Sequence, residues 1–262
     1  MTTRKTTPEA PRSILITGAS SGIGEALALH YAAPDVHLFL SGRDAARLDA
    51  VVAACAAKGA AAAGRVVDVR EAAAMERWIA ESDALRPLDL VIAHAGISGG
   101  TGAGPESAQQ VRAIFDVNVN GVFNTVLPVL PLMAARGRGQ IAIMASLAGF
   151  SGWPGAPAYG ASKGAVRLYG EALRGAVAAL GVRVSVICPG FVESRMTGVN
   201  DYPMPFLMGS RRAAEIIAGR LSRNIGRIAF PWQSHALALG LSFLPFGLVS
   251  RILKNLPRKP AM

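Results

Sequence analysis

The chain has 262 residues, 51% of them apolar and only 17% charged, which suits one large α/β domain with a buried core and excludes a disordered protein. Its formal charge is +10, but the basic residues are scattered rather than interleaved with aromatics, which argues against nucleic acid as partner. Cys55 and Cys188 show no metal-ligand spacing and no metal is expected; they fit a reducing, cytoplasmic compartment, and the N-terminus lacks the apolar region of an export signal.

Residues 1–11 read as a flexible N-terminus. Ser13 to Thr17 then form a short apolar run, a buried strand that feeds into Gly18-Ala-Ser20-Ser21-Gly22-Ile23-Gly24 and a helical pattern from Glu25 to Ala33. Strand, glycine-rich turn and helix in that order form a dinucleotide cradle. Gly18 permits the tight turn, Gly22 lets the backbone approach a pyrophosphate, and Gly24 lets helix and strand pack closely. The free amides of the helix N-terminus face the phosphates.

A second strand, Val36 to Ser41, ends in Gly42-Arg43-Asp44 before a helix over 45–58. In a dinucleotide fold this strand end reaches the adenosine ribose, where an acidic side chain would take the free 2′-hydroxyl. Arg43 instead offers a cationic fork suited to a 2′-phosphate, which favours NADP(H) over NAD(H). Arg65 to Val69 read as the third strand, with Asp68 at its end placed to accept from the adenine amino group. A helix over 71–84 follows, then a fourth strand, Leu88 to Ala93, ending in His94-Ala95-Gly96. A glycine-rich loop leads to a helix through Val111 to Asn118. Gln140 to Ala145 form the fifth strand with Ser146 at its carboxyl end, and Val182 to Cys188 the sixth, ending in Pro189-Gly190.

Between these two strands, Tyr159 and Lys163 stand four apart on a helix running from Ala158 to about Leu180, so both lie on one face. A phenol titrates near pH ~10, and an adjacent ammonium favours the phenolate and lowers that value. A tyrosine tuned this way exchanges protons with a carbonyl/alcohol pair. Strands and helices thus alternate into a doubly wound parallel sheet over residues 12–230, with every candidate group at a strand carboxyl end, where such sheets bind ligands.

Residues 191–210 lose the periodic pattern and are rich in methionine, proline and aromatics, reading as a substrate lid that either lines an apolar pocket or packs on the domain. A helix over 211–222 and a strand-like run Arg227 to Phe230 follow. The extension 231–262 carries fourteen uncharged residues, Ala236 to Val249, and then Arg251, Lys254, Arg258 and Lys259. Interrupted by Pro245, this run falls short of the ~20 residues that span a bilayer. It reads either as a tail buried against the lid or a second subunit, or as an interfacial segment, over 236–259, on an anionic membrane.

Taken together, Thr17 to Gly24, Asp68-Val69, Ala93 to Gly96, Asn118, Ser146, Tyr159-x-x-x-Lys163 and Pro189-Gly190 resemble the short-chain dehydrogenase/reductase family in order and spacing, over about residues 12–195. The resemblance implies a catalytic tetrad of Asn118, Ser146, Tyr159 and Lys163. Tyr159 is then the general acid/base, Ser146 binds the substrate oxygen, Lys163 holds the nicotinamide ribose and lowers the Tyr159 pKa, and Asn118 holds a water. It also implies cofactor contacts from Ile23, Val69, Ala95, Val192 and Ser194, a small carbonyl or alcohol substrate, and a homo-oligomer, dimer or tetramer. Three positions depart from the pattern: His94 replaces the usual asparagine and reads as structural, Ser21 stands where NADP-dependent relatives often carry a basic residue, and Ser194 stands in for a threonine. The same chemistry with NAD(H), or a non-catalytic dinucleotide-sensing regulator, are the alternatives.

Overall fold

The structure, a computed structural model, describes residues 10–254 and 256–262. Arg4, Lys5 and most of the segment 1–11 lie outside the described residues. Seven strands form one parallel sheet: β1 Ser13–Ile16, β2 His37–Gly42, β3 Ala61–Val66, β4 Leu90–Ala93, β5 Gly139–Met144, β6 Val182–Pro189 and β7 Arg227–Phe230. Their order is β3-β2-β1-β4-β5-β6-β7, so the winding reverses between β1 and β4, which opens a ligand crevice at the carboxyl ends there.

Because successive strand residues point to opposite faces, each strand feeds two cores. Leu15, Val91, Ile141 and Val184 pack on one side with α3 (Ala72–Leu85), α5 (Gly121–Arg136) and α6 (Pro157–Ala176). Ile14, Ile16, Ile92, Ala142 and Ile187 pack on the other with α1 (Gly22–Tyr31), α2 (Ala45–Ala56) and α8 (Ser210–Leu221). Both faces of the central strands are covered, which explains why they read as continuous apolar runs instead of alternating ones.

The third strand begins four residues earlier than its sequence suggests. Ala61, Ala62 and Ala63 pair with His37, Leu38 and Phe39 of β2, although alanine is a weak strand former, because the backbone ladder supplies what propensity does not. As the sheet edge it is largely exposed, and it ends at Val66, so Asp68 and Val69 sit in the loop beyond.

The helix through Asn118 also does not stop there. From α4 (Ala108–Phe115) the chain makes a π turn over Asp116–Asn120 and continues as α5, giving one helix from Ala108 to Arg136. Pro128 and Pro131 lie inside α5 and each removes a helical hydrogen bond, but Val122, Val126, Val129 and Met133 bury its inner face and hold it straight onto the sheet. Among the described residues this is the one helix long and apolar enough to cross a bilayer; its apolar side is spent on the core.

At the C-terminus Pro245 splits the apolar run into α9 (Trp232–Ser242) and α10 (Phe246–Leu253). A four-residue helix, α7 (Arg195–Gly198), lies in the lid.

Candidate active site

At the switch point the glycine turn is built for close approach. A Cβ on Gly24 would fall 2.3 Å from the Gly18 carbonyl oxygen, so only glycine seats α1 against the turn. Ser21 is the N-cap of α1, yet its side chain makes no capping hydrogen bond. The first-turn amides around Gly22, Ile23 and Gly24 are left for an anion, which fits a pyrophosphate. Ser20 backs this turn against Gly42 at the end of β2.

His94 and Ala95 fix the turn from the next strand. The Thr17 hydroxyl accepts from the amides of His94 (3.0 Å) and Ala95 (3.2 Å). The His94 ring places Nδ1 3.2 Å from the carbonyls of both Thr17 and Gly18. Two acceptors on one nitrogen require Nδ1–H, so that nitrogen donates. Burial, reinforced by the Lys163 ammonium, holds its pKa down at about 4 against the pull of those carbonyls. His94 is therefore a bracket between β1 and β4, and it carries no charge at neutral pH.

At the adenosine end Arg43 is exposed at the tip of β2, between Gly42 and Asp44, which caps α2 by accepting from the Arg47 amide. Among the described residues Arg43 forms no ion pair. Asp68, expected to receive the adenine amino group, is clasped by the Arg70 guanidinium at 2.7 Å and by the Arg70 amide at 3.0 Å. These hydrogen bonds hold its carboxyl below the usual range. Val69 is buried in the same loop, its carbonyl held by the Asn124 side chain at 2.9 Å.

The proton-transfer groups converge beside this crevice. Tyr159 and Lys163 lie on α6, which starts with Pro157 at its first turn and takes a cap from the Glu106 carboxylate, an acceptor for the Ala158 amide at 2.9 Å. The Lys163 ammonium is buried and donates to the Met144 carbonyl at 2.9 Å; burial lowers its pKa to about 8. For Tyr159 the expected lowering by Lys163 does not appear. Burial raises the phenol above its ordinary value, and the Ser146 hydroxyl draws it part of the way back. Ser146 itself accepts from the Ala148 amide (3.1 Å) and reaches the Pro189 carbonyl (3.4 Å), joining the ends of β5 and β6.

Asn118 stands in the π turn. Its amide oxygen accepts from the Ile97 amide (2.8 Å), and its nitrogen donates to the Ile97 carbonyl (2.9 Å) and the Ser162 hydroxyl (3.0 Å). Both amide hydrogens are thereby committed to protein groups, while the oxygen keeps a second lone pair free. Gly96 lies between Asn118 and Lys163: a Cβ there would meet the Asn118 oxygen at 3.1 Å and the Lys163 ammonium at 3.3 Å.

Comparison with known proteins agrees with this geometry. The family model described as short chain dehydrogenase matches residues 12–202. The chain belongs to the short-chain dehydrogenase family. It is 42% identical over 223 residues to an uncharacterized oxidoreductase of Myxococcus xanthus, covering 85% of this chain and 88% of that protein. It is 38% identical over 185 residues to the galactitol 2-dehydrogenase (L-tagatose-forming) of Cereibacter sphaeroides, covering 70% of this chain and 72% of that one. The fold also matches a short chain dehydrogenase from Mycobacterium paratuberculosis bound to NAD, at 23% identity and a TM-score of 0.77, over 86% of this chain and 98% of that one. The protein is thus an oxidoreductase with the family's doubly wound sheet.

The lid of this dehydrogenase is closed at its base. Val192, buried, bridges to Met208, and the Met208 amide donates to the Phe191 carbonyl at 3.1 Å. The Gly190 amide donates to the Phe230 carbonyl at 2.8 Å, anchoring the lid to β7. Ser194, given a cofactor contact by the family resemblance, is held locally. It caps α7, exchanging hydrogen bonds with Thr197 in a capping box. Several residues that build the site were given no role from the sequence: Thr17 as the turn's acceptor, Ile97 and Ser162 around Asn118, Asn124 behind Val69. For Thr17 a signal existed, a hydroxyl immediately before the glycine turn; for the others only the folded chain shows the contact.

Proposed function

We propose that this oxidoreductase moves hydride between NADP(H) and a carbonyl/alcohol substrate of apolar character, with Tyr159 as general acid/base. The observation that carries the reading is the convergence of Tyr159, Ser146, Lys163 and Asn118 at the carboxyl ends of β4 to β6, beside an uncapped helix N-terminus. In this reading the α1 amides hold the pyrophosphate, Arg43 the 2′-phosphate and Lys163 the ribose hydroxyls. Bound there, the nicotinamide supplies or accepts the hydride. A phenol that burial keeps protonated is a proton donor for a developing alkoxide, and the Ser146 hydroxyl orients the same oxygen, so the chain's own groups favour carbonyl reduction. Tyr202, whose ring centroid lies 6.3 Å from that of Trp153 and 6.4 Å from that of Phe191, forms with them an apolar wall for the substrate. A sensor without turnover has no use for this proton-transfer set.

NAD(H) is the second reading. It is favoured by the serine at position 21, where a basic residue would add to Arg43, and by the NAD carried by the mycobacterial neighbour. Fluorescence titration with NADPH and NADH, followed by a screen of aldehydes and ketones, tests both. Tight NADPH and weak NADH support the Arg43 assignment. The reverse order overturns it, and failure to bind either overturns the enzyme reading.

The same reading takes the protein as a homo-oligomer, with the exposed Leu127 of α5 and Leu168 of α6 as apolar contact surface. It also places α9 and α10 on an anionic membrane. Trp232 and Leu237 of α9 and Phe243 at its C-cap are 73%, 67% and 81% exposed. No acidic residue follows Glu215, whereas seven basic residues do, with Arg251, Lys254 and Arg258 exposed beside Leu248 and Ile252. An apolar face flanked by cations alone is complementary to an anionic leaflet.

A further inference from the structure

Beyond α10 the chain turns back and crosses the carboxyl ends of β4, β5 and β6. The Gly100 amide donates to the Pro260 carbonyl (2.8 Å) and the Gly102 amide to the Lys259 carbonyl (2.9 Å), both in the loop after β4. The Lys259 amide donates to the Gly155 carbonyl (3.3 Å), in the loop after β5, and the Met262 amide to the Gln110 side chain (2.8 Å) on α4. These backbones are stacked directly: a Cβ on Gly100 would lie 2.4 Å from the carbonyl oxygens of both Gly155 and Lys259.

The Lys259 side chain completes the crossing into the loop after β6. The residue is only 5% exposed, and its ammonium donates to the Met196 carbonyl (3.1 Å) and the Asn200 side-chain oxygen (2.9 Å) of the lid. Among the described residues no carboxylate pairs with it. A buried ammonium is tolerable only while its donors are met. The lid must therefore keep these two acceptors in place, and the ammonium in turn fixes the lid. The ties flank the reacting group closely in sequence: Gly155 lies four residues before Tyr159, and Asn200 two before Tyr202, whose ring meets those of Trp153 and Phe191.

We propose that residues 257–262 roof the substrate cleft and that Lys259 is a positioning residue that pins the lid beneath them, so that this strap limits the substrate to compact apolar carbonyl compounds. The size limit rests on the carbonyl-reductase reading above; the lid contact does not.

The test compares four proteins by hydrogen exchange and kinetics: the full chain, Lys259→Met, Asn200→Ala and a chain ending at Leu256. A hydrogen bond to a charged group supports about tenfold or more in local opening. Exchange in a lid peptide over 196–208 is therefore expected to rise by about that factor in all three variants, with β1 and β4 unchanged, and a Lys259→Met/Asn200→Ala double variant should rise no further than the single ones. With NADPH, the three variants should gain about tenfold in kcat/KM for benzophenone, mainly through KM, while kcat for butanal stays within about threefold. Unchanged lid exchange would overturn the role of Lys259. Loosened exchange with unchanged selectivity would overturn the size limit. A responsive lid in a protein that binds NADPH but reduces neither compound upholds the lid contact and overturns the reaction instead.

Discussion

The bracket formed by His94 makes a quantitative prediction about pH. In the unfolded chain the imidazole titrates near its ordinary value of ~6.5, whereas burial and the Lys163 ammonium hold the folded ring at about 4. Between these values the unfolded chain binds the proton that the folded chain refuses. The stability is thus fully present above pH ~6.5 and is lost as pH falls towards ~4. Between pH ~7.5 and pH ~5 the linkage amounts to about 2 kcal/mol for this one group. His94→Asn keeps a side-chain donor for the Thr17 or Gly18 carbonyl and removes the titration. Urea unfolding followed by circular dichroism at the two pH values should show the wild type losing about 2 kcal/mol more than the variant. Parallel losses in the two proteins would refute a buried neutral His94, whatever the other titrating groups contribute, because those groups are common to both.

Tyr159→Phe should reduce turnover by at least about a thousandfold, consistent with general acid catalysis plus lost alkoxide stabilisation, while NADPH affinity stays within about twofold; surviving turnover would move the acid elsewhere. Arg43→Asp should lower the NADPH-to-NADH affinity ratio by about tenfold or more, since it replaces a charge-assisted contact with repulsion, and an unchanged ratio would remove Arg43 from the ribose end. Co-sedimentation with vesicles should retain the protein on phosphatidylserine but not on phosphatidylcholine, and a Trp232→Ser/Phe243→Ser pair should release it. Failure to sediment, with the pair instead dissociating an oligomer, would make that face a contact between copies of the chain.

Much of the fold was legible because the central strands are buried on both sides, so runs such as Ile14-Leu15-Ile16 and Leu90 to Ala93 stand out from their surroundings. The glycine turn and the Tyr159–Lys163 pair were legible for a related reason: each is a short-range constraint, met within a single turn of chain. What escaped depended on distance or context. Ala61 to Ala63 become a strand only because β2 lies alongside, and the continuation of the helix past Asn118, through Pro128 and Pro131, was not foreseen. Asp68 was expected at the end of the third strand but lies in the loop after it, held by Arg70, and Ser194 caps α7 with Thr197; neither conformation is specified by a motif. For Tyr159, spacing foretold the shared helix face with Lys163 but not the burial that raises the phenol.

The π turn at Asp116–Asn120 has a geometric consequence for the helix that contains it. An i→i+5 turn carries about one residue more than a regular turn, which offsets the downstream face by about 100°. Asn118 lies inside that turn and is directed towards Ile97 and Ser162, and Val122, Val126 and Val129 follow it on the face buried against the sheet. The turn acts as a phase shifter, letting a single rod serve two directions. Deleting one residue between Asp116 and Asn120 would restore a regular helix and force a choice between a packed core and a correctly aimed amide.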